Sequence, residues 1–467
     1  MGTGSAEKTI AVLNPATGEE IGRIPAGDSA AAAEAVTATQ AAQPAWEETP
    51  AIERGEVLKV AARRLRQHVD ELAELQTREN GKPLAESRDG VEAGIATIEQ
   101  YAELGPLHRG RSLDGSRHAS DMMVYEARGV AALLVPWNDP LAIALGQLAA
   151  CLVTGNAVVL KPSEKTPFAT QRALELMELP QDLAVLLLGD ARAGRPLAEH
   201  ECVNVVLHTG SVATGREIAT ICGRSLRKAV LELGGKDALI VDAGVDPGWA
   251  AEEAASGAFA NAGQICTSVE RIYVHEDIAE PFLDALVERA RALKVGPGLD
   301  PESQIGPLID EAQRATVEGH VRNAVDGGAQ VLTGGEPLDG PGFFYPPTVL
   351  SGVEEWMDIL HDETFGPVAP VAIVGSFEEG LEAANATLYG LAANVLTPSQ
   401  SNAQQALRKL RAGTVKINAV WGGAPGGAAE PRRQSGLGLG YGPELLDEVT
   451  ATKLVHYAPA RTPVPAP

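Results

Sequence analysis

Between Val130 and Val241 the chain alternates short apolar runs with helix-length stretches, and this alternation limits its possible folds more than any other feature. The apolar runs fall at Val130–Val135, Ala157–Lys161, Leu183–Leu188, Val203–Leu207 and Ala238–Val241. Helical material lies between them, including 140–153 and a helix opened by Thr166 as N-cap with Pro167 as its first residue. Runs without polar alternation read as strands buried on both faces. Such strands alternating with helices make a parallel, doubly wound sheet. A second pattern of this kind runs from about 249 to 442. It predicts helices at 249–262, 278–293, 311–326, 377–386 and 400–411, and strands at 270–275, 330–333, 368–374, 391–396 and 414–418. A chain of 467 residues has room for two such units. Ahead of them lie a hairpin from Ile10 to Pro25, turning at Ala16-Thr17-Gly18, and helical segments at 28–42, 51–77 and 84–104. Residues 110–125 read as an extended arm, Lys453–Tyr457 as one further strand, and 458–467 as a Pro-rich tail.

Composition narrows the class. Apolar residues make up 45% and aromatics only 4%, so the cores rest on Ala, Val and Leu, which suits closely packed helices on parallel strands. Acidic residues outnumber basic ones 62 to 38, a net charge of -24, which argues against nucleic acid and anionic membranes as partners. The four cysteines, Cys151, Cys202, Cys222 and Cys266, show no CxxC or Cys/His spacing, so no metal is expected and reduced thiols are. Met1 to Lys8 is small and polar rather than a signal peptide, and no apolar run approaches the roughly 20 residues of a membrane span. A soluble, cytoplasmic protein is the expectation.

Four short stretches carry chemistry. Cys266 follows a helix-like segment and Gly263; a thiol needs a positive field or a base to react at neutral pH, and a lone buried cysteine is more often inert. Glu232 sits between leucines beside Gly234-Gly235, where an apolar setting would raise its pKa and make it a general base, although the same stretch also suits a turn with a solvated carboxylate. Val135-Pro136-Trp137-Asn138-Asp139-Pro140 lies past a strand, where ligands bind in open α/β sheets. Asn138 there can donate to a developing oxyanion or merely form an Asn-Asp-Pro turn. Lys161-Pro162-Ser163-Glu164 can hold ribose or phosphate, and Thr209-Gly210-Ser211 leads into a helix N-terminus suited to a pyrophosphate, though without the GxGxxG pattern.

Together these stretches resemble the aldehyde dehydrogenase superfamily over nearly the whole chain. Further matches are Gly155-Asn156, Glu232-Leu233-Gly234-Gly235-Lys236, Gly263-Gln264-Ile265-Cys266, Glu363-Thr364-Phe365-Gly366-Pro367, Tyr389-Gly390-Leu391 and Ser435-Gly436-Leu437-Gly438, with Glu232 and Glu363 at the family's separations from Cys266. The resemblance implies an aldehyde dehydrogenase-like α/β fold. Residues 1–109 and 129–233 would form a Rossmann-like NAD-binding domain, 234–445 the catalytic domain, and 110–128 with 446–458 an oligomerisation arm, leaving 459–467 as a tail. It implies that Cys266 attacks the aldehyde to give a thiohemiacetal, that Asn138 and the Cys266 N–H steady its oxyanion, and that Glu232 activates water against the resulting thioester. Val135, Pro136, Trp137, Lys161, Ser163, Glu164, Gly210, Ser211, Leu233, Gly234, Glu363 and Phe365 would hold the cofactor. That cofactor would be NAD, favoured by Glu164 beside the ribose, with NADP possible. Asp139, Ile265, Thr267 and Trp421 would line the substrate pocket. A homodimer or homotetramer is implied as well.

The chain departs from the family at several of these places. His208 stands for the usual Phe before Thr-Gly-Ser, Gln147 for a Lys, and Gly440 for a Glu, so two groups thought to relay the proton from the base are missing. Glu430-Pro431-Arg432-Arg433 replaces a Gly-Gly-x-Lys, and Asp139 replaces an aromatic of the aldehyde tunnel. A carboxylate there would repel acidic semialdehydes and tolerate polar, neutral or amino-bearing aldehydes, unless it turns away to cap the next helix. Two other functions are compatible with the family: transfer of the acyl group to coenzyme A, against which Glu232 argues, and a catalytically silent relative, against which Cys266, Glu232 and Asn138 argue.

Overall fold

The computed structural model describes residues 8–423 and 427–460. The chain opens with a hairpin of β1 (Thr9–Leu13) and β2 (Glu20–Pro25), then four helices: α1 (Ser29–Glu48), α2 (Ala51–Arg66), α3 (Val69–Asn80) and α4 (Leu84–Leu104). The expected helix over 51–77 is two, broken at Gln67-His68, where His68 leaves helical geometry (φ -122, ψ 18). An arm of β3 (Arg111–Leu113) and β4 (Ser120–Ala127) leads into the first α/β unit. This runs β5 (Val130–Leu134), α5 (Pro140–Val153), β6 (Ala157–Lys161), α6 (Phe168–Met177), β7 (Ala184–Leu186), α7 (Ala191–Glu199), β8 (Val203–Thr209), α8 (Val212–Arg224) and β9 (Lys228–Glu232). The second unit runs β10 (Asp237–Val241), α9 (Pro247–Phe259), β11 (Val269–His275), α10 (Ala279–Ala292), α11 (Glu311–Asp326), β12 (Gln330–Thr333), β13 (Thr348–Ser351), β14 (Val368–Val374), α12 (Phe377–Asn385), β15 (Ala392–Leu396), α13 (Gln400–Lys409) and β16 (Thr414–Ile417). The chain closes with β17 (Gly436–Leu437), α14 (Glu444–Glu448) and β18 (Thr450–Tyr457).

The first sheet has the order β17-β9-β8-β5-β6-β7, parallel except for β17, and the second β12-β13-β14-β11-β10-β15-β16, parallel except for β12. Strands β5, β6 and β10 are buried throughout, as their uninterrupted apolar sequences require, and helices cover both faces. A Leu or Val in such a core gives about 1.5–3 kcal/mol by leaving water. In the first sheet the chain starts at β5, steps outward through β6 and β7, then returns to β8 on the other side. That reversal leaves a crevice above the carboxyl ends of β5 and β8. β18, β4 and β3 form a separate antiparallel sheet.

Two sequence expectations change here. β10 belongs to the centre of the second sheet, paired with β11 and β15, rather than closing the first; the first sheet ends with β9. Thr166 does not cap α6: its hydroxyl has no partner, and the first helical N–H groups, Phe168 N (2.7 Å) and Ala169 N (3.0 Å), donate instead to the buried Glu79 carboxylate of α3. Of the Pro-rich tail, 461–467 lies outside the described residues, as does 424–426 of the Gly/Ala-rich loop from Val420 to Ala429. No helix among the described residues is long and apolar enough to cross a membrane.

Candidate active site

A cleft of about 470 Å³ opens above β5, β6 and β8, between α7 and α8. Val135, Pro136, Trp137, Lys161, Ser163, Glu164, Gly210 and Ser211 all line it. A second cavity of about 230 Å³ adjoins it, sharing Pro136, Trp137, Thr209, Gly210 and Ser211, and holds Asn138, Glu232, Leu233, Gly234, Cys266, Glu363 and Phe365. The structure therefore brings together all three residues expected to be catalytic and all twelve expected to meet a cofactor.

The larger cleft fits a dinucleotide. Ser211 caps α8, its hydroxyl accepting from Thr214 N (3.3 Å), and the helix N-terminus offers N–H groups and positive potential to an anion. The buried Lys161 ammonium donates to the Pro162 carbonyl (3.0 Å), and with three donors it can serve a ligand as well. Burial lowers its pKa, while Glu164 and Asp190 act the other way. Gly210 and Gly215 keep the wall thin: a Cβ would stand 2.7 Å from the His208 ring at the first and 2.5 Å from Leu233 at the second.

Cys266 stands at the junction of the two units, in the turn before β11. Asn261 and Ala262 both adopt left-handed backbone (φ 50 and 54), a conformation costing on the order of 1 kcal/mol or more per non-glycine residue. Gly263 follows with φ 71. A Cβ there would sit 2.1 Å from the Gly366 carbonyl oxygen, so only glycine lets this loop rest against the loop carrying Glu363 and Phe365. Gln264 braces the turn: its Nε2 donates to the Asn261 and Pro307 carbonyls (3.1 and 3.3 Å), and its Oε1 accepts from Ile309 N (2.9 Å). Asn138 Nδ2 donates to the Gln264 carbonyl (3.0 Å), which fixes the amide beside Cys266 and leaves its second N–H available.

Glu232 ends β9 and is held on its far side by β17, through the Gly436 pairing and Leu233 N to the Ser435 carbonyl (2.8 Å). Its Oε2 is closed off without a hydrogen-bond partner, and burial pushes its pKa up to about 7. A Cβ on Gly440 would lie 3.2 Å from that oxygen, which places the missing family carboxylate directly beside the base. Gln147 is buried and donates to Thr209 Oγ1 (3.0 Å). Burial pushes the Cys266 thiol well above its ordinary value, and the charges of Glu232, Asp237 and Glu363 push the same way. The thiol is therefore neutral at rest and needs a base, and Glu232 is a nearby acceptor tuned for neutral pH.

The Glu363–Phe365 loop rests on residues that the motifs do not single out. Glu270 of β11 is buried; its Oε2 accepts from Thr364 N (2.7 Å) and from Lys236 Nζ (2.6 Å), and its Oε1 from Phe365 N (2.8 Å). Lys236 Nζ also reaches Thr364 Oγ1 (3.0 Å), and Gln313 Nε2 donates to the Thr364 and Phe365 carbonyls (2.9 and 3.0 Å). Phe365 is left-handed (φ 52) and meets Trp137 edge-on at 5.4 Å. Glu363 Oε1 accepts from Gly235 N (3.0 Å), and burial raises its pKa to about 8. Glu270 was legible only as a carboxylate inside a strand run, and Lys236 only as part of the Gly-Gly-Lys match.

The four residues assigned to the substrate pocket line neither cavity. Asp139 stands at the N-cap of α5 but makes no capping bond. Its carboxylate lies against α4 at Gly90, where a Cβ would come within 2.5 Å of Oδ1, and its Oδ2 pairs with the buried Lys82 ammonium at 3.2 Å. The carboxylate therefore takes neither of the two places expected from sequence, the wall of the aldehyde tunnel or the cap of α5. Ile265 and Thr267 flank Cys266 in its turn, half-buried. Trp421 packs on the second core, its Nε1 donating to Ser256 Oγ (2.9 Å), with Lys416 Nζ 5.5 Å from its ring centre.

Comparison with known proteins agrees with this geometry. The model of the aldehyde dehydrogenase family matches residues 3–455. Betaine aldehyde dehydrogenase of Bacillus subtilis is 35% identical over 96% of this chain and 94% of its own length. The crystal structure of lactaldehyde dehydrogenase from Escherichia coli superposes with a TM-score of 0.94 at 34% identity, covering 97% of this chain and 96% of that one. Betaine aldehyde dehydrogenase from Staphylococcus aureus, solved in complex with NAD+, gives a TM-score of 0.94 at 31% identity, covering 98% of this chain and 93% of that one.

Proposed function

The chain belongs to the aldehyde dehydrogenase family, and from that premise we propose that it oxidises a polar, uncharged aldehyde at Cys266 and releases the acid by hydrolysis. Its class is that of an NAD(P)-dependent aldehyde dehydrogenase. We assign cofactor binding to the unit built on the first sheet (1–109 with 129–233) and the nucleophile to the second (234–445).

Glu232 takes the thiol proton as Cys266 adds to the aldehyde carbon, and the carbonyl oxygen becomes the oxyanion of a thiohemiacetal. The free N–H of Asn138 and the backbone N–H of Cys266 donate to that oxygen; losing one such donor typically costs ~10²–10³ in rate. A nicotinamide dinucleotide held in the cleft would supply the hydride acceptor needed to oxidise the thiohemiacetal to a thioester. Ser211 with the α8 N-terminus would hold its phosphates. Lys161, Ser163 and Glu164 would hold the adenosine ribose, and Glu363 and Phe365 the nicotinamide end. Glu232, once it has passed the thiol proton to bulk water, takes a proton from the attacking water as that water's oxygen adds to the thioester carbon, and the Cys266 sulfur leaves. The observation that carries this reading is the shared cavity of Cys266, Glu232 and Asn138, with the Glu232 carboxyl tuned to about 7 and no other group on its Oε2.

The Lys82–Asp139 pair alters the substrate argument. Standing outside both cavities and paired with the buried Lys82 ammonium, Asp139 neither repels acids nor attracts cations as a bare carboxylate in the pocket would, which removes the case for an amino-bearing substrate and leaves a preference for hydroxylated, neutral aldehydes as the proposal. Such a preference is in keeping with a lactaldehyde dehydrogenase among the relatives. NAD is the favoured dinucleotide, through Glu164 beside the expected ribose site. We also propose a cytoplasmic homodimer or homotetramer joined through the β18-β4-β3 sheet, whose edge strand exposes Leu454 and Tyr457. Steady-state NADH formation with a panel of hydroxylated, cationic and dicarboxylic aldehydes, with and without coenzyme A, tests the reading. Hydroxylated substrates are expected to give the highest kcat/KM with no coenzyme A consumed. Clear preference for succinic semialdehyde, or acyl-coenzyme A as product, contradicts it.

A further inference from the structure

His208 is the penultimate residue of β8, where the family carries a phenylalanine, and it is 8% exposed. On one side its strand pairs with Leu134, on the other with Leu231. Neither imidazole nitrogen makes a well-formed hydrogen bond; the ring's backbone contact with Leu134 is a weak one. The ring occupies the space left by Gly210, with Cε1 and Nε2 at 2.7 and 2.9 Å from where a Cβ would stand. It also lines the larger cleft, together with Lys161, Ser163, Glu164 and Ser211. Burial lowers its pKa to about 4, so at neutral pH it is an uncharged imidazole with one donor and one acceptor.

A buried polar ring without partners is costly where phenylalanine would pack at no such cost. No side chain supplies a partner to either nitrogen; both are closed off from solvent, while the residue itself lines the cleft beside Lys161. We propose that His208 is a cofactor-binding residue, its imidazole hydrogen-bonding the adenosine half of the dinucleotide from the cleft floor beside Lys161. This rests on the reading of the cleft as the dinucleotide site. An uncharged imidazole suits a ribose hydroxyl, which can both donate and accept, and it complements Glu164, a pure acceptor, on the same sugar.

The test compares wild type, His208→Phe and His208→Gln by calorimetric titration with NAD, ADP-ribose and nicotinamide mononucleotide, alongside melting of the free proteins. Loss of one ordinary hydrogen bond predicts that His208→Phe binds NAD and ADP-ribose about 5–10-fold more weakly, with nicotinamide mononucleotide unaffected. His208→Gln, which keeps a donor and an acceptor, is expected to lie closer to wild type. Because phenylalanine removes two unpaired buried atoms, free His208→Phe is expected to melt no lower than wild type. Unchanged affinity for ADP-ribose in His208→Phe overturns the proposal, since the ring then makes no bond to the ligand. A lower melting point together with equal weakening of all three ligands also overturns it, in favour of a packing role. If wild type binds neither NAD nor NADP, the reading of the cleft itself fails, and the role of His208 with it.

Discussion

Replacing Glu232 with glutamine separates the base from the fold, because the buried carboxyl is predicted to affect rate and stability in opposite directions. In the folded protein Glu232 titrates at about 7, against an ordinary value of 4.5. Between those two pH values the folded state keeps a proton that the unfolded chain releases, so this group's contribution to stability falls as pH rises through the window and stays reduced above it. A shift of this size corresponds to on the order of 3 kcal/mol. The amide has nothing to ionise, so Glu232→Gln is expected to match wild type near pH 4 and to exceed it by up to roughly that amount at pH 8. Turnover goes the other way. With a pKa of about 7 the carboxylate fraction rises from roughly a tenth at pH 6 to roughly nine-tenths at pH 8, so hydrolysis-limited kcat should climb about tenfold in wild type. In Glu232→Gln it should drop by ~10²–10⁴ and lose that slope. Urea unfolding at the two pH values and kcat measured from pH 5.5 to 8.5 check both sides. Glu232→Gln that keeps the wild-type pH–rate profile, or that is no more stable than wild type at pH 8, refutes the reasoning.

Glu270→Gln is expected to loosen the Glu363–Phe365 loop, since one amide cannot accept from Lys236 Nζ and from the Thr364 and Phe365 N–H groups in the same geometry. Leaving the buried Lys236 ammonium unpaired costs about 3–5 kcal/mol, visible in urea unfolding, and NAD affinity is expected to fall with it. Gly263→Ala forces a Cβ against the Gly366 carbonyl at φ 71, so a loss on the order of 3 kcal/mol in stability is expected, and activity should fall further than stability because the Cys266 turn moves.

The sequence made the local chemistry legible because each motif is contiguous: the Asn138 turn, the Glu232 strand end and the Cys266 turn each carry their own signature. The buried strands were readable for the same reason, as β5, β6 and β10 are unbroken apolar runs. What depends on distant pairing was not. β10 follows β9 after a short turn, and only its pairing with β11 and β15 assigns it to the other sheet. β9 begins with a lysine and ends with a glutamate, and β13 is preceded by Pro346-Pro347, so neither presents an apolar run. The break at Gln67-His68 has no glycine or proline to announce it. The α6 cap comes from Glu79, on a remote helix, so the local Thr-Pro signal misled. Asp139 read as a carboxylate of the aldehyde tunnel or a helix cap because its partner Lys82 lies far away in sequence. The Glu270–Lys236 pair had one available signal: a carboxylate within the apolar run of β11, which only a buried cation and backbone N–H groups could balance.

The central claim, that Cys266 carries the substrate carbon and Glu232 discharges it, is most directly tested by trapping the intermediate. Wild type mixed with a hydroxylated aldehyde and NAD, acid-quenched within the first turnovers and digested, is expected to give a burst of about one NADH per active site and a peptide bearing the acyl mass on Cys266, whereas Glu232→Gln, with no base for the thiol or the water, is expected to give neither at the wild-type rate. An acyl group on another residue, or a full burst from Cys266→Ala, would contradict the account.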